Sequence, residues 1–303
     1  MHLQPPFWQT SRFRIDLGEP KVMGIVNLTP DSFSDGGRHT GTHAALRHCE
    51  QLLAEGAHIL DLGAESSRPG AAVLPEAEEL ARLLPVLRGA VSLGVPISVD
   101  TYKPRVMQAA LDLGADIVND IWALRWHDAA AGEPPGAAAA VVAAHAGCGV
   151  CLMHMHGEPA TMQRQPMEGD VLATVQAFLM QAARQLEGQG VAPARIVLDA
   201  GVGFGKTVAQ NFALLRHQHA LQAAPYPWLA GWSRKSSLAA VSGGAAQAPH
   251  ARVIESVTAA VLAIERGARI VRVHDVRETV AALKIWRAAS LPSPFPQEEG
   301  TQA

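Results

Sequence analysis

Gly114-Ala115-Asp116-Ile117-Val118-Asn119 is the stretch that decides the fold. A glycine stands where a preceding helix should stop, aliphatic residues follow, and a hydrogen-bonding side chain closes the run. The same shape recurs as Gly56-Ala57-His58-Ile59-Leu60-Asp61 and Gly267-Ala268-Arg269-Ile270-Val271-Arg272. Looser copies lie at 22–27, 96–100, 149–153, 195–199 and 227–231. The apolar residues are continuous rather than alternating, so both faces of each strand should be covered, as in a parallel sheet. Helical segments are expected between them, at 43–55, 75–93, 104–113, 137–146, 170–189, 209–222, 236–241 with 251–266, and 276–288. Eight βα units make an α/β (β/α)8 TIM barrel the economical solution, with an open doubly wound sheet as the alternative.

The remaining sequence sets the organisation. Residues 1–21 are an N-terminal extension, in which Phe13-Arg14-Ile15-Asp16-Leu17 alternates and suits one arm of a hairpin closing the barrel bottom. Residues 22–290 form a single catalytic domain, and the Pro-rich stretch 291–303 reads as a disordered tail. An Ala/Gly/Pro-rich insertion between Trp122 and Gly147 reads as an extended loop joined to a lengthened alanine helix. A formal charge of -3 with no long Lys/Arg run argues against a nucleic-acid surface. No apolar stretch reaches the roughly 18 residues of a membrane span, and the first residues lack a signal-peptide core, so a cytoplasmic protein is expected. Three cysteines fit reduced thiols rather than a disulfide framework.

Polar chemistry concentrates after the strands. Asn27-Leu28-Thr29-Pro30-Asp31-Ser32-Phe33-Ser34-Asp35-Gly36-Gly37 opposes helix and reads as a long rim loop. In Gly63-Ala64-Glu65-Ser66-Ser67-Arg68-Pro69-Gly70 an arginine flanked by hydroxyls suits an anion. In Ser233-Arg234-Lys235-Ser236-Ser237 the serines can cap a helix whose amides attract negative charge. Arg272 and His274, two residues apart on a strand, share a face. Asp100, Asn119 and Asp199 would present acceptors to a donor-rich heterocycle, whereas Arg68, Lys235, Arg272 and His274 would serve a phosphate group.

These segments resemble the dihydropteroate synthase family, pterin-binding TIM barrels. The similarity runs through Val22 to Gly37 and Asp61 to Gly70, then Ser98-Val99-Asp100-Thr101, Val118-Asn119-Asp120-Ile121 and Cys151-Leu152-Met153-His154-Met155. It continues through Asp199 to Lys206, Ser233-Arg234-Lys235-Ser236 and Arg272-Val273-His274-Asp275, covering about 13–290 in order. The resemblance implies condensation of 7,8-dihydropterin-6-methyl pyrophosphate with 4-aminobenzoate in folate biosynthesis, with Mg2+ and a homodimer; apolar helices near the sixth to eighth units are the expected place for its interface. By matching position, Asp100, Asn119, Asp199 and Lys235 would bind the pterin, with Met153 and Phe204 lining its slot. Asn27, Arg272 and His274 would hold pyrophosphate, and Asn27 would reach the metal. Ser67, Arg68 and Ser236 would surround aminobenzoate and the leaving group, with Phe33, Asp35 and Pro69 on two loops that close. Loss of pyrophosphate would precede attack, and the pterin would bind first. A pterin-dependent methyltransferase and a non-catalytic pterin-binding paralogue are the alternatives.

Some features depart from that pattern or read more plainly. Ser67 stands where threonine is usual, Ala200 where proline is common, and Val202 and Trp232 differ in size from the usual residues; these bear on aminobenzoate and sulfonamide affinity. Asp61 and Asp120 suit structural hydrogen bonds within the barrel as well as they suit a ligand and are left out of the site, as are His154 and His156. Arg234 and Lys206 have a plain reading as solvated basic side chains. Cys148, Cys151, His154 and His156 have spacing unsuited to zinc, and Ala200 to Thr207 lacks the first glycine of a P-loop.

Overall fold

The computed structural model describes residues 7–29, 37–66, 71–221, 225–243 and 248–290, with backbone alone at 37–40. A short antiparallel hairpin comes first, β1 (Phe7–Gln9) and β2 (Arg14–Asp16). Among the described residues, the strands that follow are all parallel. They are β3 (Lys21–Asn27), β4 (Ile59–Gly63), β5 (Ile97–Asp100), β6 (Ile117–Asp120), β7 (Gly149–Met153), β8 (Ile196–Asp199), β9 (Trp228–Ala230) and β10 (Ile270–Val273). They pair in chain order, and β10 returns to β3, so the sheet closes and the open doubly wound alternative is excluded.

Between strands run α1 (Gly37–Ala54), α2 (Glu76–Ala90), α3 (Pro104–Asp112), α4 (Ala137–Ala144), α5 (Val171–Glu187) and α6 (Val208–Arg216) with α7 (Gln218–Leu221). Then come α8 (Ser236–Ser242), α9 (Val253–Glu265) and α10 (Val276–Ser290). The alanine helix expected to be long is only 8 residues, α4, and turns fill the preceding insertion.

The Gly-Ala dipeptides explain how each turn is made. Gly56, Gly114 and Gly267 have φ of 103°, 103° and 94°, a left-handed backbone that glycine adopts without steric cost. In each case the glycine N–H returns to the carbonyl three residues back and the alanine N–H to the one five back, the Schellman pattern. The alanine is thus still part of the cap. Strand pairing starts three residues past each glycine, at Ile59, Ile117 and Ile270, later than the sequence runs suggested.

Along the strands, inward and outward side chains separate into two cores. Outward residues such as Val22, Leu60, Val118, Leu198 and Val271 pack against the helices. Inward residues Met23, Ile59, Ile117, Cys151, Val197, Leu229 and Ile270 form a second cluster with Trp8, Ile15 and Leu17 of the hairpin segment. The hairpin therefore does plug the barrel bottom. Trp8 is fully buried and its Nε1 donates to Arg195 O at 2.8 Å, while Arg12 Nη2 pairs with the buried Asp116 carboxylate at 2.6 Å. The expected tail at 291–303 lies outside the described residues.

Candidate active site

Directly above that apolar layer, the inward side chains become polar. Two residues beyond Met23 and Ile25, β3 delivers Asn27; Ile117 is followed by Asn119, Val197 by Asp199, and Ile270 by Arg272 and then His274. The period of two lifts each strand's next inward residue to the C-terminal mouth of the barrel. There they line a cavity of about 340 Å³ together with Asp100, Met153, Phe204, Lys235 and Ser236.

Arg272 holds the mouth together. Its Nε donates to Asp61 Oδ2 at 2.6 Å and Nη2 to Asp100 Oδ2 at 2.6 Å, while Asn119 Nδ2 donates to Asp61 Oδ2 at 3.3 Å. Asp61 is fully buried beneath the cavity, which decides for the structural one of the two readings its sequence position allows. Burial pushes the Asp100 carboxyl up to about 7 against the pull of the Arg272 charge, while the neighbouring carboxylates hold Arg272 firmly protonated despite its burial. A guanidinium has five N–H donors, so those left over from these two bonds can meet a ligand.

Asp199 and Lys235 form the opposite wall. Gly201 N donates to Asp199 Oδ1 at 2.7 Å, yet burial still raises this carboxyl above its ordinary value. The Lys235 ammonium lies 4.3 Å from the centre of the Phe204 ring, a cation–π contact. Burial draws that lysine down to about 8, with Asp199 opposing the shift.

His274 is oriented by a residue the sequence reading did not single out. Ser233 Oγ accepts from His274 N at 3.1 Å and lies 3.0 Å from His274 Nδ1. A hydroxyl proton directed to Nδ1 would leave the ring proton on Nε2, the nitrogen an anion needs as donor.

Several expectations change. The serines after β9 do not cap α8: Lys235 occupies the cap position, Ser236 is the first helical residue, and Ser237 accepts from Asn211 Nδ2 at 2.8 Å. Lys206 is not solvated but buried, donating to the carbonyls of His154, Gly201 and Phe204. Arg234 pairs with Asp275 at 2.6 Å on a backbone with φ of 61°. Trp232 faces the outer core, 5.4 Å from the Phe212 ring, and so does not flank the cavity. His154 packs edge-on against Phe178 at 5.0 Å, and burial drives its imidazole down to about 3. Cys148 and Cys151 lie in different cores, Cys148 among the outward residues and Cys151 inside the barrel.

A neighbouring cavity of about 400 Å³ shares Glu65, Ser66, Asp100 and Ile121 with the first. The insertion supplies its Trp122 and Trp126, both beside Tyr102, whose hydroxyl donates to Glu65 Oε1 at 2.8 Å. Below them Lys103 pairs with both Glu65 and the buried Glu79, an ion cluster that no local motif signals. Phe33, Asp35, Ser67, Arg68 and Pro69 lie outside the described residues.

The donor set bears on a metal. Among the described residues, no group of three or more His, Cys, Asp or Glu is placed to hold an ion. Asn27 offers one amide oxygen at the cavity. This suits Mg2+ carried in by phosphate oxygens and its own waters, and does not suit a caged resident metal.

A deep barrel-mouth slot in which carboxylates and cations stand together on both walls defines a class. The chain belongs to the family of pterin binding enzymes, which it matches over residues 23–274. Within that family it belongs with the dihydropteroate synthases. It is 48% identical to dihydropteroate synthase of Neisseria meningitidis serogroup B, covering 94% of this chain and 98% of that one. To the Escherichia coli K12 enzyme it is 42% identical, covering 90% and 93%. Among solved structures, Burkholderia cenocepacia dihydropteroate synthase complexed with 7,8-dihydropteroate aligns with a TM-score of 0.82 at 46% identity, covering 94% and 96%. Xanthomonas albilineans dihydropteroate synthase with 4-aminobenzoic acid aligns with a TM-score of 0.84 at 43% identity, covering 94% and 100%.

Proposed function

We propose that this chain joins 7,8-dihydropterin-6-methyl pyrophosphate to 4-aminobenzoate, giving 7,8-dihydropteroate and pyrophosphate, with C–O cleavage ahead of C–N formation. The observation that carries this reading is the convergence of Asp100, Asn119 and Asp199 with Lys235, Arg272 and His274 on one cavity. The carboxylates and the Asn119 amide meet the pterin ring's N–H groups and stabilise positive charge as it develops on the methylene. Arg272 and the Nε2 face of His274 stabilise the pyrophosphate that departs with the bonding pair. Asn27 would hold Mg2+, which when bound neutralises phosphate charge.

Phe204 and Met153 supply flat apolar walls. The weakly nucleophilic aromatic amine, oriented near Lys235 and Ser236, then forms the C–N bond and sheds one proton. Ser67 and Arg68, with Phe33, Asp35 and Pro69, would close over this substrate, so the pterin pyrophosphate binds first. Sulfonamides would compete at the same place, as a drug complex of the Yersinia pestis enzyme suggests.

Cys49, Cys148 and Cys151 are buried free thiols, which supports a cytoplasmic location. Among the described residues no helix is long and apolar enough to cross a membrane. Exposed Val241, Ile254 and Leu262 on α8 and α9 support a homodimer through that face. The decisive assay is pyrophosphate release. It should require both aminobenzoate and Mg2+; release that ignores aminobenzoate would overturn the synthase reading.

A further inference from the structure

The loop from Gly201 to Lys206 looks like a phosphate-binding lysine loop, yet its lysine turns away from the cavity. Lys206 is 3% exposed. Its Nζ donates to Gly201 O at 2.8 Å, Phe204 O at 3.1 Å and His154 O at 3.2 Å, which matches the three donors of an ammonium with three carbonyls. Two of these belong to its own loop after β8 and one to the loop after β7, so the ammonium sits in the seam between them.

The seam is tight. A Cβ on Gly201 would stand 1.9 Å from His154 O, and one on Gly205 2.2 Å from His156 O. On the far side of the loop, Gly203 N donates to Asn211 Oδ1 at 2.9 Å, and Asn211 Nδ2 continues to Ser237 Oγ at 2.8 Å on α8. The loop is thus held from both flanks. What it presents between them is the cavity wall: Phe204 beneath the Lys235 ammonium, and the Gly201 amide that bonds Asp199.

We infer that Lys206 is a positioning residue of the synthase reaction, pinning the 201–206 loop to the loop after β7 so that Phe204, Lys235 and Asp199 meet the pterin in register. The inference rests on the synthase reading. Without the ammonium, His154 O and Phe204 O lose the lysine donor and Gly201 O keeps only the Phe204 N–H, and the loop regains water for them only by lifting from the seam, which carries Phe204 with it. No substrate contact by Lys206 is involved.

The test compares the full-length wild-type protein with Lys206→Met and Lys206→Gln. Pterin pyrophosphate binding is measured by calorimetry, steady-state constants by pyrophosphate release, and folding by circular dichroism. Lys206→Met, which has no donor, is expected to raise the pterin Kd at least tenfold and to lower kcat as well, at temperatures where it is fully folded. Lys206→Gln keeps two N–H donors and should recover part of both losses. A purely structural lysine would lower Tm alone. The inference is overturned if folded Lys206→Met binds the pterin and turns over within twofold of wild type, or if neither variant folds, because the lysine then supports the barrel rather than the loop. A wild-type protein lacking aminobenzoate-dependent pyrophosphate release would instead overturn the synthase reading.

Discussion

Arg272 Nε lies 2.6 Å from Asp61 Oδ2, joining β10 to β4 across 211 residues of sequence, and the second arm of the same guanidinium reaches Asp100. One planar cation therefore orients two carboxylates through N–H groups fixed in direction, whereas a lysine ammonium would attract them without that fixed geometry. Asp61→Asn keeps the shape and removes the charge. Breaking a buried pair from one side costs about 3–5 kcal/mol, and the partial exposure of Arg272 argues for the lower end. The expected outcome is a fall in Tm together with a raised KM for the pterin substrate. Unchanged pterin KM in a destabilised protein would mean that Arg272 keeps its position without Asp61.

The pH profile follows from two buried groups. Asp100, raised to about 7, loses its proton as pH rises through that value and gains acceptor strength; Lys235, lowered to about 8, loses its charge as pH rises further. Pterin kcat/KM should therefore be bell-shaped, climbing through about 7 and falling through about 8. Lys235→Arg should abolish the alkaline limb, since arginine stays charged there. A profile flat from pH 6 to pH 9, roughly the window in which a shifted acid and lysine titrate, would remove both assignments.

Gly201→Ala tests the fit of the cavity wall. Its φ of 65° costs an alanine about 1–2 kcal/mol and the collision with His154 O about 1–3 more. Folded protein should lose at least tenfold in pterin affinity. Gly41→Ala in α1 is the control, because no atom lies within 4 Å of the added Cβ. It should stabilise by about 0.5–1 kcal/mol and leave kinetics unchanged.

Trp8→Ala separates the two ends of the barrel. The ring is fully buried below the apolar layer, so truncation is expected to cost about 3–5 kcal/mol. Because the cavity lies at the opposite mouth, kcat and both KM values at 25 °C should match wild type. A kinetic defect in the folded variant would show that the hairpin is coupled to the site.

The fold was legible because its signals are local. Gly56, Gly114 and Gly267 end helices through bonds to residues three and five positions back, and a glycine followed by an aliphatic run announces that. The strand starts were read three residues early, since cap and strand share aliphatic composition. The first hairpin arm, Phe7–Gln9, is too short for a periodic signal. The polar residues at strand ends were equally visible, as Asn27, Asn119, Asp199 and Arg272 each follow an apolar residue by two places on the inward face. What escaped depends on partners distant in sequence. Nothing near Lys206 indicates that the His154 carbonyl will meet it, and nothing near Lys103 indicates that Glu65 and Glu79 will. Ser233 was read as part of an anion loop, but its role emerges only where β10 brings His274 beside it.

The reach of Arg272 also has a meaning for synthesis. Asp61 and Asp100 leave the ribosome early, whereas the cation that binds them is encoded 211 and 172 residues later. A nascent chain still lacking β10 must keep these acids hydrated or protonated, without the guanidinium that pairs with both of them. The mouth can settle into its final charge state only after β10 docks, which makes translation through that strand a precondition for a competent pterin slot.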